Sequence, residues 1–163
     1  MTEMIALPQY LSRVAKSREI VVDAEGAVLG RLASYVAKLA LMGFRLHVVN
    51  VEKAVVTGDK HMVVESYKLW LEVKTHKNPY RHAPHRPRNP INIFKKAVWG
   101  MLPKDRRGKK ALKRVKAYIG VPEELSNRER IVFADTLADQ LKRSEYVTLA
   151  EIAKAMGWKG VGL

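Results

Sequence analysis

The sequence predicts an α/β fold, and three observations carry that reading. A short buried strand, EIVVDA from Glu19 to Ala24, sets three successive apolar residues between charged ones. A helical stripe follows at once in VLGRLASYVAKLALMG, with Leu29, Leu32, Ala33, Val36, Ala37, Leu39 and Ala40 on one face and Gly43 as its stop. Two further β-branched runs, RLHVVNV and AVVTG, then precede the next helical pattern. With 163 residues, 47% of them hydrophobic, the chain has the length for one domain with a substantial core, and residues 1–163 are read as a single domain.

The opening MTEMIALPQYLSRVAKSREI predicts a turn or two of helix. It lacks a basic start followed by a long apolar run, and no stretch of about twenty apolar residues occurs anywhere, so neither secretion nor membrane insertion is expected. RLHVVNV and AVVTG lie only a few residues apart around Glu52 and Lys53. Parallel strands ordinarily need a crossover of a dozen residues or more, so the pattern by itself predicts an antiparallel hairpin.

GDKHMVVESYKLWLEVK predicts a helix N-capped by Asp59, with Met62, Tyr67, Leu69, Trp70 and Val73 on its apolar side. Prolines at 79, 84, 87 and 90 exclude continuous helix, which leaves Thr75 to Pro90 extended or looped. INIFKKAVWGMLP returns to helical spacing through Ile93, Phe94, Ala97, Val98, Met101 and Leu102, with Lys95 and Lys96 outside and Pro103 ending the run. In that helix Trp99 and Met101 are read as core. GKKALKRV predicts a short basic helix and VKAYIG a strand. Beyond Val121 the composition turns mildly acidic, and TLAEIAKAMGW opens with a Thr148/Glu151 capping box.

Charge is the most informative single property. The net charge is +14, and it resides in one segment. Between 73 and 116 stand Lys74, Lys77, Arg81, Arg86, Arg88, Lys95, Lys96, Lys104, Arg106, Arg107, Lys109, Lys110, Lys113, Arg114 and Lys116 against one acid, Asp105. Everything outside is electrically balanced. A neutral scaffold carrying a self-repelling cationic segment points to a polyanion, nucleic acid first and an anionic membrane surface second. The absence of cysteine removes disulfides and thiolate metal sites and fits a reducing, cytosolic compartment.

The stretch YRHAPHRPRNP, residues 80–90, allows three readings. A metal site on His82 and His85, with His76 as a third ligand, is disfavoured. Pro84 prevents the helix that would align the imidazoles, no carboxylate is near, and Arg81, Arg86 and Arg88 would repel a dication. An idle solvated loop is the ordinary fate of a basic run. Here, however, the run continues into further cationic helices, and its prolines lower the entropy lost on ordering. Tyr80 and the histidines offer rings for unpaired bases, and arginine offers bidentate contact to phosphate, so RNA contact is favoured. Segments of this kind also bind DNA and acidic proteins.

Taken together, VVDAEGAVLGRLAS, VVNVEKAVVTGDK, AVWGMLPKDRRGKKALKRVKAYIG and the closing MGW resemble the universal family of large-subunit ribosomal proteins numbered thirteen. The match runs in order from about Glu19 to Gly120. The proline-rich NPYRHAPHRPRNP connection and the long tail resemble the archaeal and eukaryotic branch. The resemblance implies a three-layer α/β/α fold around a four-stranded parallel sheet in the order 3-2-1-4. It also replaces the hairpin with a tight parallel connection. It divides the chain into a core at 19–120, a basic RNA-facing segment at 73–116 and a C-terminal extension at 121–163.

By the same resemblance the chain is a structural constituent of the large ribosomal subunit. It would bind 23S-type rRNA, aid its assembly and adjoin neighbouring ribosomal proteins in the cytoplasm, without cofactor, metal, membrane or small-molecule substrate. Carried onto this chain, the rRNA-binding residues are Lys74, Lys77, Tyr80, Arg81, His82, His85, Arg86 and Arg88 in the loop. Lys95 and Lys96 lie on the following helix, and the stretch from Lys104 to Lys116, with Lys104, Arg106, Arg107, Lys109, Lys110, Lys113 and Arg114 as its binding residues, forms a second phosphate-facing surface. Gly30 is read as permitting close helix–strand approach, Arg31 as pairing with an acid, and Trp158 as packing the tail onto the domain or a neighbouring protein.

An extra-ribosomal RNA-binding regulator is the alternative, and a nucleotide-binding enzyme a remoter one. Asp23 and Glu25 do lie at a strand end beside Gly26 and Gly30, where α/β folds hold nucleotides. But GAVLG is not the G-x-G-x-x-G fingerprint, and TGDK lacks the phosphate-loop spacing.

Overall fold

The structure, a computed structural model, describes residues 18–82, 84, 86–140 and 145–160, together with the backbone of 2–5. Its centre is a five-stranded parallel sheet of β1 (Thr2–Ile5), β6 (Arg130–Phe133), β2 (Glu19–Asp23), β3 (Arg45–Val49) and β5 (Val115–Ala117), in that spatial order. Within it lies the order 3-2-1-4 implied by the resemblance, with β5 as the third strand and β6 as the fourth. The β1 strand adds an edge.

Two strand expectations are corrected. Thr2–Ile5 is a strand paired with β6, not helix, and the rest of the expected N-terminal helix lies outside the described residues. AVVTG is neither a hairpin partner of β3 nor a member of the main sheet. As β4 (Val55–Thr57) it pairs antiparallel with β7 (Tyr146–Thr148), about ninety residues later in the chain. The intervening Val51–Lys53 forms one 3-10 turn, which turns the chain out of the sheet before a parallel neighbour can form.

One face of the sheet is covered by α1 (Leu29–Leu41), α4 (Pro90–Met101) and α5 (Arg106–Lys113). The seven apolar residues that mark the α1 stripe are all buried. They interlock with Ile20, Val22, Leu46 and Val48 from the strands and with Ile93, Phe94 and Val98 from α4. Each fully buried leucine or phenylalanine contributes about 1.5–3 kcal/mol. Gly43 ends α1 at φ +105°, where a side chain would be strained.

On the other face Leu125 of α6 (Glu123–Ser126) packs with Val21 and Val49 over the C-terminal half of the strands. The Thr148 capping box starts α7 (Leu149–Ala155) as the sequence requires, and Ile152 and Ala153 are buried. Trp158 packs against the main core, as expected for the tail.

Three side-chain expectations change. Met101 is 45% exposed, because α4 turns its Ile93/Phe94/Val98 edge inward and Met101 falls outside that edge, whereas Trp99, partly buried, packs against the core as expected. Gly30 sits on the outer face of α1, where an added Cβ would meet nothing within 4 Å, so close approach is not its role. Arg31 donates to the backbone carbonyl of Asp135 (3.0 Å), while the Asp135 carboxylate accepts from the Tyr35 hydroxyl (2.8 Å).

Candidate nucleic-acid interface

The motifs that looked most like chemistry are built for architecture. Asp23 at the end of β2 accepts from the Asn50 amide nitrogen (2.9 Å), and Asn50 takes φ +54° to turn the chain after β3. Lys53 pairs with Glu25 (2.9 Å), and Glu52 accepts the Gly120 N–H through both oxygens (3.2 and 3.1 Å). Glu25 lifts the Lys53 amine above its ordinary value. The strand ends are thus tied to one another by the very carboxylates an enzyme would need.

TGDK is likewise a helix start. Gly58 turns at φ +134°, Asp59 accepts from the backbone of His61 and Met62 (2.7 and 3.2 Å), and Lys60 bridges to Glu151 of α7 (3.0 Å). This caps α2 (Lys60–Glu72), which packs on β7 and α7 and buries no residue fully. Of its expected apolar side only Tyr67 packs against the core, while Met62 and Leu69 are 71% and 61% exposed.

The cationic segment begins where α2 ends. Lys74, Lys77, Arg81 and His82 are exposed, and Tyr80 stands 97% exposed on α3 (Pro79–His82), one helical turn within the expected loop. The Asn78 carboxamide oxygen accepts the Tyr80 N–H (3.2 Å), and Pro79 at the start fixes φ for the turn. His85 lies outside the described residues. Arg86 is half-buried with its guanidinium 5.9 Å from the centre of the Trp70 ring, and Arg88 reaches the Gly157 turn of the tail. Trp70, expected on the apolar side of α2, is partly exposed and stands against the Tyr67 ring, where it meets the basic loop.

Asn89 caps α4 through the Ile91 N–H (3.0 Å), with Pro90 at its first position. Lys96 is exposed and Lys95 half-buried; with Arg86, Pro87, Asn92, Trp99 and Leu112 they line a shallow cleft of about 340 Å³ between loop, α4 and α5. Lys104 lies over the Trp99 ring at 4.1 Å and donates to the Trp99 carbonyl. Arg106, Arg107, Lys109, Lys110 and Lys113 project outward from α5. Arg114 is half-buried and donates to the Ala40 carbonyl (3.1 Å), closing the C-terminus of α1.

Asp105, the lone acid of the segment, accepts the Gly108 N–H (2.8 Å) and caps α5. Gly108 is required there, because a Cβ would stand 1.8 Å from the Pro103 carbonyl oxygen. The acid therefore sets a helix start instead of neutralising a neighbour. Among the described residues every ion pair lies outside 73–116. A dense row of exposed cations without internal counterions is a surface for an external polyanion.

Comparison with known proteins gives a consistent result. Residues 17–124 match the family described as Ribosomal protein L13. The large ribosomal subunit protein uL13 of Saccharolobus solfataricus is 47% identical over 150 residues, covering 92% of this chain and 100% of that protein. That of Aeropyrum pernix is 51% identical over 147 residues, with 89% and 94% covered. That of Methanocaldococcus jannaschii is 43% identical over 140 residues, with 85% and 98% covered.

Proposed function

This chain belongs to the ribosomal protein L13 family and is a structural component of the large ribosomal subunit, not an enzyme; from that premise we propose that it binds 23S-type rRNA through residues 73–116. The observation that supports this reading is the exposed, uncompensated charge of that segment on a well-packed neutral core. The loop from Lys74 to Arg88, the outer side of α4 and the outward side of α5 neutralise converging phosphates and help to fix the subunit's fold during assembly in the cytoplasm. Arg114 and Lys104, already bonded to carbonyls of the protein, serve this surface by holding α5 and the α4–α5 turn in place. Neighbouring ribosomal proteins pack beside it.

If about eight cations meet phosphate, log affinity falls with log salt at a slope near −6, at about −0.7 per contact. Filter binding of the purified chain to deproteinised large-subunit rRNA, across salt and against tRNA, tests this. Saturable binding that survives the competitor is expected; binding that tRNA abolishes would leave the segment as a non-specific polycation and defeat the proposal.

A further inference from the structure

The parallel register places residues far apart in sequence in one row across the N-terminal end of the sheet. Glu19 is the register partner of Arg45, and the pairing of Leu46 with Val115 sets Arg114 beside Arg45. The pairing of Val21 with Arg130 sets Arg128 beside Glu19. The resulting row Arg128, Glu19, Arg45, Arg114 spans about 14 Å at the usual strand spacing of about 4.8 Å. Two residues further along the same face, His47 is partnered by Lys116, which is exposed.

Glu19 organises this row. Its carboxylate takes Arg128 at 2.9 Å and Arg45 at 3.3 Å, which draws two guanidiniums to one point while cancelling only one of their charges. Their side chains remain 50% and 69% exposed. Arg18, Gly43, Arg45 and Arg114 close a concavity of about 360 Å³ on the same side. Arg45 and Arg128, which belong to no cationic stretch of sequence, thus form an outward cationic face with Lys116, the last residue of the basic segment.

We propose that this sheet end is a second phosphate-binding face for rRNA, in which Glu19 aligns Arg45 and Arg128 and Lys116, the last cation of the basic segment, joins the two surfaces. The inference rests on the rRNA-binding reading above and enlarges its footprint. RNA is the occupant because the face is cationic and borders the basic segment: α5 leads through Arg114 into the edge strand β5, and although Lys116 lies on the sheet face opposite α5, an RNA strand leaving α5 reaches it by rounding that edge. A row of about 14 Å suits several successive phosphates rather than one small anion.

The test uses the full chain and deproteinised large-subunit rRNA. Replacing Arg45, Lys116 and Arg128 with Ala removes three contacts, so affinity at 0.1 M salt falls about a hundredfold and the salt slope flattens by about 2. The Arg45→Lys, Arg128→Lys variant keeps the charge and retains most of the binding. Thermal melting of each variant separates lost binding from lost fold. Independently of any substitution, Lys116 in the wild-type chain is open to an amine-modifying reagent when free and protected when bound. Wild-type binding that outlasts tRNA, combined with an unchanged slope in the triple alanine variant or unprotected Lys116, overturns this inference alone. Wild-type binding that tRNA abolishes overturns the rRNA reading, and this inference with it.

Discussion

The segment at 73–116 and the N-terminal end of the sheet are both cationic, yet they are made in opposite ways. In the first, the charge is contiguous in sequence and projects from a loop and two helices whose apolar sides are rooted in the core. In the second, Arg45 and Lys116 arrive from two different strands and Arg128 from the turn that leads into β6, and no short window of sequence shows them together. Each region nevertheless places one acid at its structural pivot. Asp105 fixes where α5 begins, and Glu19 fixes how far apart two arginines stand. An acid within a basic surface can therefore be a positioning device, and its removal should disorder the cations as well as raise their charge.

The sharpest way to test that the two regions are separate is to remove both. Arg81, Arg86 and Arg88 changed to Ala costs about a hundredfold in rRNA affinity at 0.1 M salt by the same three-contact arithmetic. Combined with the sheet-end triple, the loss should be the product, about ten-thousandfold, since distant sites add in free energy. A combined loss no greater than either triple in filter binding would show that both regions serve the same phosphates. The loop triple should leave the melting temperature nearly unchanged, because that loop buries little and Arg86 forfeits only its place over Trp70.

The dependence of the first region on the core is broken most directly at Gly108. Gly108→Ala drives a Cβ into the Pro103 carbonyl, with an expected loss of about 3 kcal/mol and a fall of about 6–12 °C in melting temperature. Gly30→Ala, in open space on α1, should instead stabilise by about 0.5–1 kcal/mol. A calorimetric scan in which the two glycines behaved alike would contradict the packing described at both. Smaller again, Lys104→Ala removes the ammonium from the Trp99 ring and should cost about 0.5–1 kcal/mol, read by denaturant melting.

The smallest effect is on pH. Hydrogen bonds from Arg128 and Arg45 hold the Glu19 carboxyl below its ordinary 4.5, so its contribution is complete above 4.5 and fades as pH falls through the lowered value. Burial holds the His47 imidazole below 6.5, against an opposing pull from Glu19. The unfolded chain then takes up that proton first, and stability also declines as pH drops below 6.5. Melting temperature should therefore fall steadily from neutral into acid. Glu19→Gln should flatten the portion below 4.5 and leave a shoulder above it. A curve for Glu19→Gln that overlays the wild type would remove Glu19 from its organising role.

Much of the molecule was legible in one dimension. The α1 stripe, the caps at Asp59 and Thr148 and the basic segment each depend on residues within a few positions of one another, where side-chain period, capping and charge act without knowledge of the rest of the chain. The same locality explains the errors. Met101 satisfies a helical apolar period, but which edge of α4 turns inward depends on the sheet and α1 it meets. AVVTG has the composition of a strand, but its partner lies at Tyr146–Thr148.

What the sequence by itself determined is the α/β character, the principal helices and their caps, and one continuous surface of positive charge. Only the tertiary structure decided the pairing of β4, the depth of the tryptophans, and the gathering of Arg128, Glu19, Arg45 and Arg114 into a row. The physical reason is that helix period and capping are settled by energies acting within a turn or two of chain. Strand partnership and register are settled by how apolar faces are buried together, a quantity that exists only once distant segments meet.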